Sequence, residues 1–114
     1  MKTRTETHPL GQIEKVKGQL AALGDLRPGS LSKQYSVCGT PDCRCKATPP
    51  EKHGPYYQVS FTRKRKGSSK FVRKKDLADV RRELKNYKVM KTLVDCWIDL
   101  ATELSNLRLA NKHP

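Results

Sequence analysis

Three cysteines and one histidine lie within sixteen residues, and this cluster constrains the fold more than any other part of the sequence. Their spacing is Cys-x4-Cys-x-Cys-x7-His, with Gly and Pro between them to allow tight turns. Thiolate sulfur and imidazole nitrogen are the ligands that zinc prefers, and a structural zinc site takes four of them in a tetrahedron. The sequence therefore predicts that residues 36–55 form a loop around one zinc ion, with four ligands: Cys38, Cys43, Cys45 and His53.

This spacing differs from the paired Cys-x2-Cys knuckles of many zinc sites, so other arrangements stay open at this stage. Cys96, His8 or His113 would each be an alternative fourth ligand. A four-cysteine iron–sulfur cluster would require Cys96, but this residue lies in an apolar helical run and suits a buried core position better. Without a metal, the three clustered cysteines would be reduced thiols in a flexible loop.

The composition indicates one small domain whose hydrophobic core is too small to stabilise it alone. Hydrophobic residues make up 35% of the 114 residues and aromatic residues 6%, and small scaffolds with so little core commonly add a metal or a partner subunit. No apolar run reaches the length of a membrane span, and the N-terminus lacks the apolar segment of a secretory signal. We therefore expect a cytoplasmic protein in which clustered cysteines bind metal rather than form disulfides.

The fold class expected from the hydrophobic pattern is α+β. Apolar residues at gaps of three and four predict an N-terminal helix over residues 10–23. Alternation over Tyr56–Arg63 predicts a strand, Gly67–Ser69 a turn, and Lys70–Lys74 a returning strand, which gives a basic two-stranded β-hairpin over residues 56–74. With the zinc loop and a long helix these elements form a single domain at 9–110, between tails at 1–8 and 111–114.

The C-terminal third of the chain predicts one long helix over residues 76–110. It contains no Gly or Pro from Leu77 to Ala110, and about 33 residues would span about 50 Å. The first helix, at about 21 Å, is too short to cover the whole apolar stripe. We therefore expect a coiled-coil-like homodimer, or docking to a larger complex, with a bent helical hairpin within one monomer as the alternative. The interface residues would be Leu84, Tyr87, Met90, Val94, Trp97, Ala101 and Leu104.

Charge is the strongest global feature. The chain has 24 Lys and Arg against 11 Asp and Glu, a formal net charge of +13, which is typical of proteins with an anionic partner such as nucleic acid. The positive charge is concentrated on the hairpin and the start of the long helix, whereas Asp95, Asp99 and Glu103 follow one face of its second half. The expected phosphate-binding residues are Arg44, Lys46, Arg63, Lys64, Arg65, Lys66, Lys70, Arg73, Lys74, Lys75, Arg81 and Arg82.

The sequence favours binding over catalysis. No phosphate-cradling Gly-rich loop occurs, and an open catalytic zinc would have only Glu51 as a nearby general base, so we do not expect an enzyme. Contacts to phosphates carry no sequence information, and the choice between DNA and RNA stays open. Tyr56 is a candidate for stacking on exposed bases, whereas Tyr57 shares a strand face with Val59 and suits the core better.

A second reading makes the protein a zinc-stapled assembly module with no direct role in nucleic-acid binding. In that case the long helix is the assembly surface and Trp97 its anchor, although a core tryptophan is the simpler explanation. The basic end would then bind an acidic protein or keep the chain in solution.

Three motifs resemble a family of small uncharacterised prokaryotic proteins. They are Arg27–Leu31, the Cys38-Gly39-x3-Cys43-x-Cys45 run and His53–Tyr57, and the resemblance extends over about residues 27–105. It implies that the three cysteines and His53 form one unit, and that the chain comes from a prokaryotic cell, a phage or a mobile element. The function expected from all these features is a regulator or an accessory subunit of a nucleic-acid-processing complex.

Overall fold

The computed structural model describes residues 5–37, 40–47 and 51–113. It is an α+β structure that contains helix α1 (Thr7–Ala21), strands β1 (Ser30–Ser36), β2 (His53–Arg63) and β3 (Lys66–Val72), and helix α2 (Leu77–Lys112). Short 3-10 turns occupy Arg44–Lys46 and Lys74–Asp76. The described residues divide into a sheet unit, Arg27–Leu84, and a helical unit formed by the residues up to Leu26 and from Lys85 onward.

The sheet unit contains a three-stranded antiparallel sheet in the order β1-β2-β3, one strand more than the predicted hairpin. Its core lies on one face of the sheet, where Val59 and Val72 pack with three residues from the first two turns of α2. Leu31 and Tyr57 are partly buried and pack against this core, so Tyr57 lies on the core face of its strand, as expected. The three helix residues are Leu77, Val80 and Leu84.

The β2–β3 turn lies at Lys64–Arg65, not at the predicted Gly67–Ser69. Gly67, Ser68 and Ser69 are instead part of β3, paired with Thr62, Phe61 and Ser60. The observed register places Val72 opposite Tyr57 and next to Val59, on the buried face. A turn centred on Ser68 would have placed Val72 opposite Lys64. Burial of the apolar residues therefore decided the register against the local turn chemistry.

The helical unit is formed by α1 and the part of α2 that follows Leu84, and the two helices run antiparallel. Glu6, just before α1, accepts a hydrogen bond at 3.0 Å from Arg108 Nε. Near the other end of α1, the Lys17 ammonium lies 5.4 Å from the centre of the Trp97 ring. Asn86 Nδ2 donates a hydrogen bond at 2.8 Å to the carbonyl of Asp25. Ile13, Val16 and Leu104 are buried in this unit.

Helix boundaries differ slightly from the predictions. The first helix covers Thr7–Ala21 rather than 10–23, so the predicted tail at 1–8 loses its last two residues to α1. The long helix covers Leu77–Lys112 rather than 76–110, so it extends into the predicted tail at 111–114. Residues 1–4 and 114 lie outside the described residues. No helix in the described part of the chain is long and apolar enough to cross a membrane.

Candidate metal centre and basic hairpin

Three of the four predicted zinc ligands lie together. One ligand atom each from Cys43, Cys45 and His53 lie within 4.8 Å of one another, and Cys43 Sγ is 3.0 Å from His53 Nε2. Metal bonds of about 2.3 Å to sulfur and 2.0 Å to nitrogen place two tetrahedral ligands about 3.5–3.8 Å apart. The three side chains are therefore close enough to hold a metal ion.

A single turn of 3-10 helix brings the two cysteines to the same point. Lys46 N–H donates to the Cys43 carbonyl at 3.0 Å, and Ala47 N–H donates to the Arg44 carbonyl at 3.0 Å. This turn leaves Cys45 1% exposed and Cys43 partly exposed. A Cys-x-Cys pair in a tight turn can direct both sulfurs to one centre, as the sequence predicted.

The arrangement of β1 and β2 places His53 beside this turn. His53 begins β2 and is paired with Ser36, after a register shift that follows Gln34. The next residue, Gly54, has a φ of +136°. A Cβ at Gly54 would lie 2.8 Å from the Gln34 carbonyl oxygen, so only glycine permits the close approach of the two strands here.

The described residues include three of the four predicted ligands. Cys38, the fourth ligand that the sequence predicted, lies outside them, as do Gly39 and residues 48–50. Among the described residues, the cluster consists of Cys43, Cys45 and His53. Cys96 was expected in the core, but it is exposed on α2. It follows Val94 by two residues and precedes Trp97 by one, so at 100° per residue it lies off the apolar stripe.

The structure concentrates the basic residues at the tip and the outer strand of the hairpin. Lys64 and Arg65 form the turn itself, both with positive φ values of 52° and 67°. Arg63 and Lys66 form the last pair of the β2–β3 ladder below them. The remaining basic residues of this group are exposed on β3 or just after it, and they are Lys70, Arg73, Lys74 and Lys75.

Carboxylates are sparse around these basic side chains in the described part of the chain, although Lys70 lines a depression with Asp76, Asp79 and Glu83. Within residues 53–72, β2, β3 and their turn contain no Asp or Glu. Among the residues that the structure describes, no salt bridge involves any basic residue from Arg63 to Lys75. Two other predicted phosphate ligands do form ion pairs, because Arg44 lies 3.8 Å from Glu51 and Arg82 lies 2.7 Å from Asp79. Lys46 and Arg81 are exposed.

Phe71, which had no predicted role, is the most exposed large hydrophobic residue described, at 76%. Tyr56, a predicted stacking residue, is 44% exposed. A signal for Phe71 was present in the sequence, because it directly precedes the core residue Val72. Adjacent strand residues point to opposite faces, so only one of the two can be buried in a sheet covered on one side.

The predicted interface residues on α2 fall into three groups. Leu84 and Leu104 are buried within their own units. Four residues are half-buried, namely Tyr87, Met90, Val94 and Trp97, and Ala101 is exposed. The most exposed large apolar residues of α2 lie elsewhere on the helix, at Ile98 and Leu109, both 56% exposed.

Comparison with known proteins assigns the family. A family model described as "Domain of unknown function (DUF6788)" matches residues 9–82, which include the cluster of Cys43, Cys45 and His53 and every predicted phosphate-binding residue. No curated protein and no solved structure gave a significant match. The matched range is more than half of the chain and agrees with the resemblance to an uncharacterised family. The chain therefore belongs to the DUF6788 family.

Proposed function

We propose that this protein is a zinc-containing nucleic-acid-binding protein that contacts mainly phosphates and serves as a regulator or an accessory subunit of a nucleic-acid-processing complex. One observation carries the proposal. Arg63–Lys75, which covers the hairpin tip, β3 and the first residues after it, holds eight exposed basic residues and no acidic residue. In the described part of the chain, none of the eight forms a salt bridge. Like charges at this density repel one another and destabilise the compact state. A polyanion that follows the hairpin would remove that repulsion and release its own counterions.

The wider sheet unit supports the same proposal. It contains fifteen of the 24 basic residues of the chain but only five of its 11 acidic residues. Two of those acidic residues are already paired with Arg44 and Arg82. Phosphate contacts of this kind supply affinity and orientation without reading the base sequence.

Zinc is the metal that best suits the ligands in the cluster. Two thiolates and an imidazole are a soft donor set that favours zinc, and Cys38 would complete a Cys3His site. The buried apolar cluster of the sheet unit contains five residues, which is a small core for a unit of this size. A metal bound by the 3-10 turn and by His53 would tie the loop to the start of β2 and stabilise the hairpin.

The binding proposal is tested with labelled oligonucleotides across a salt series. Removal of two phosphate contacts by Lys64→Gln and Arg65→Gln should reduce the slope of log K against log salt by about 1.4 on single strands and about 1.8 on duplex DNA. The matched control is Lys15→Gln with Lys112→Gln, which removes the same charge from exposed helical positions. Equal losses in the two variants, or no binding by the unaltered protein at low salt, would contradict the proposal.

The metal proposal is tested by elemental analysis of the purified protein. We expect one zinc per chain, and we expect Cys45→Ser to abolish stoichiometric zinc because Cys45 is a buried member of the cluster. Cys96→Ser is the control, since Cys96 is exposed on α2, and it should keep its zinc. Retention of zinc by Cys45→Ser would exclude Cys45 as a ligand. A different metal would leave the geometry intact but change the cofactor.

An assembly role is a second candidate, favoured by the exposed apolar residues of α2. Ile98, 56% exposed, lies beside the half-buried Trp97, and a second copy of the chain would cover both. The expected state is a homodimer, measured by light scattering at micromolar concentration. Ile98→Asp should then give monomers, whereas the control Asp99→Asn, on the neighbouring exposed position, should leave the dimer intact. A monomer for the unaltered protein would remove this candidate.

A further inference from the structure

The three-stranded sheet has one covered face and one open face. Val59 and Val72 lie on the covered face, with Leu31 and Tyr57 packed against them. The alternating residues of the same strands therefore form the open face. In register across the three strands, this face pairs Ser32 with Gln58 and Gln58 with Phe71, and Gln34 pairs with Tyr56.

The side chains of this open face are aromatic or neutral and polar. Gln34 Nε2 donates to Gln58 Oε1 at 3.2 Å, and Ser60 Oγ lies 3.1 Å from Ser69 Oγ. A depression of about 260 Å³ lies between the strands. Its lining consists of Gln34, Ser36, Tyr56, Gln58 and Phe71. The depression is smaller than the usual 300–1,000 Å³ of a drug-sized ligand pocket, and it suits one flat group at a time.

The exposure of Phe71 is not explained by the fold. Burial of a phenylalanine side chain stabilises a protein by about 1.5–3 kcal/mol, yet Phe71 is 76% exposed in a chain with only two phenylalanines. Tyr56 is 44% exposed and lines the same depression. Two exposed rings on a neutral sheet face form a surface on which flat, unstacked bases can lie.

The charges around this face identify the kind of occupant. The face itself is uncharged, whereas Lys64 and Arg65 lie at one end of it and Arg73 directly follows β3 at the other. A strand of nucleic acid that crosses the sheet would place its bases on the rings and its phosphates near these cations. The bases of a duplex are stacked inside it and cannot reach the rings, so the arrangement fits a single strand.

We infer that the open face of the sheet binds single-stranded nucleic acid, with bases stacked on Phe71 and Tyr56. This inference rests on the proposed function and specifies its ligand. The hydrogen bond between Gln34 and Gln58 uses the NH2 group of the Gln34 side chain and the carbonyl oxygen of the Gln58 side chain. The side-chain NH2 group of Gln58 and the side-chain carbonyl oxygen of Gln34 can then form hydrogen bonds with the edge of a stacked base. Such contacts tolerate many sequences, because every base has a π-face.

The test compares Phe71→Leu with Phe71→Tyr in the full-length protein. Both changes are at a highly exposed side chain and should leave folding intact, which circular dichroism checks. Probes are 12-nucleotide oligo-dU, 12-nucleotide oligo-rU and a 12-base-pair DNA duplex. Because one stacked base contributes about 1–3 kcal/mol, Phe71→Leu should weaken single-strand binding by about 5- to 150-fold. Phe71→Tyr keeps the aromatic ring and should bind single strands as the unaltered protein does.

Three results separate this inference from the function on which it rests. Loss of single-strand binding in Phe71→Leu, with duplex binding and salt slope unchanged, establishes the stacking surface, and the two single-strand probes show which sugar is preferred. Equal single-strand binding by Phe71→Leu and the unaltered protein, with binding reduced by Lys64→Gln and Arg65→Gln, overturns the stacking surface but keeps the phosphate contacts. No binding to any probe at low salt overturns both.

Discussion

The β2–β3 turn leads to a quantitative prediction about stability. Lys64 and Arg65 both have positive φ, the conformation that a two-residue type I′ hairpin turn requires and that Asn-Gly adopts most readily. For residues other than Gly, Asn and Asp this conformation costs about 1 kcal/mol each, or about 2 kcal/mol for the pair. The new glycine makes the unfolded chain more flexible and offsets about 0.5–1 kcal/mol of that relief.

The double change Lys64→Asn with Arg65→Gly should therefore have a free energy of unfolding about 1 kcal/mol higher than a variant that loses the same two charges without relieving the turn. This difference corresponds to an increase of about 4–8 °C in Tm. The assay is thermal and urea unfolding of zinc-loaded protein at fixed concentration. The control is Lys64→Gln with Arg65→Gln, which loses the same two charges but keeps side chains that disfavour positive φ. The comparison between the two variants thus cancels the effect of reduced charge repulsion.

Both variants should lose the same share of nucleic-acid affinity and salt slope, because both lose the same two cations. The Asn-Gly variant is then the more stable protein and the weaker binder. If the two variants have equal stability, the positive-φ turn carries no strain and the reasoning about Lys64 and Arg65 is wrong. If the Gln variant loses affinity and the Asn-Gly variant keeps it, the charges of Lys64 and Arg65 do not determine binding, and the phosphates do not contact the turn.

Three further predictions follow from the site and the helical unit. Gly54→Ala should destabilise the protein by about 1–3 kcal/mol and weaken zinc affinity, because its Cβ would meet the Gln34 carbonyl at 2.8 Å. The control Gly67→Ala should change neither, because its Cβ meets only Thr62 Oγ1 at 3.8 Å. Urea unfolding measures the stability of both variants, and chelator competition measures their zinc affinity. Removal of zinc by a chelator should lower the urea midpoint of the unaltered protein and leave that of Cys45→Ser unchanged. Hydrogen bonds from Arg108 and Asn111 hold the pKa of the Glu6 carboxyl below its ordinary value of 4.5. The ionised carboxyl therefore stabilises the protein above that pH, and this stabilisation is lost as the pH falls through the folded pKa. The urea midpoints of Glu6→Gln and the unaltered protein should differ at pH 7 and converge by pH 3.

The sequence predicted best the parts of the fold in which the local residue pattern is compatible with only one arrangement of the chain. The proximity of Cys43, Cys45 and His53 was predictable because two cysteines separated by one residue, in a turn, can direct their sulfurs to one point beside a nearby histidine. The long helix was predictable because no Gly or Pro interrupts it after residue 76. The alternation of Tyr57, Val59 and Phe61 identified β2, and it placed Tyr57 at the core.

The wrong predictions of secondary structure concern elements whose stability depends on residues that are distant in the sequence. β1 has the sequence Ser-Leu-Ser-Lys-Gln-Tyr-Ser, in which Leu31 packs against the core. Its hydrophobic pattern is weak, so the sequence predicted a two-stranded hairpin without a third strand. β1 becomes a strand because β2 offers a partner. The hairpin turn was placed at Gly67–Ser69 because glycine and serine favour turns, but the burial of Val72 outweighed that preference.

The position of β3 at the edge of the sheet has a consequence for how this protein behaves in solution. β3 has one neighbour in the sheet, so the outer row of its backbone N–H and C=O groups is open to pairing with another chain. Lys66 and Lys70 lie on this strand, and charged lysines are a common means by which natural proteins prevent such pairing. The same charges that attract a polyanion would therefore also keep copies of the chain from joining edge to edge. A nucleic acid that neutralises these lysines would remove that protection.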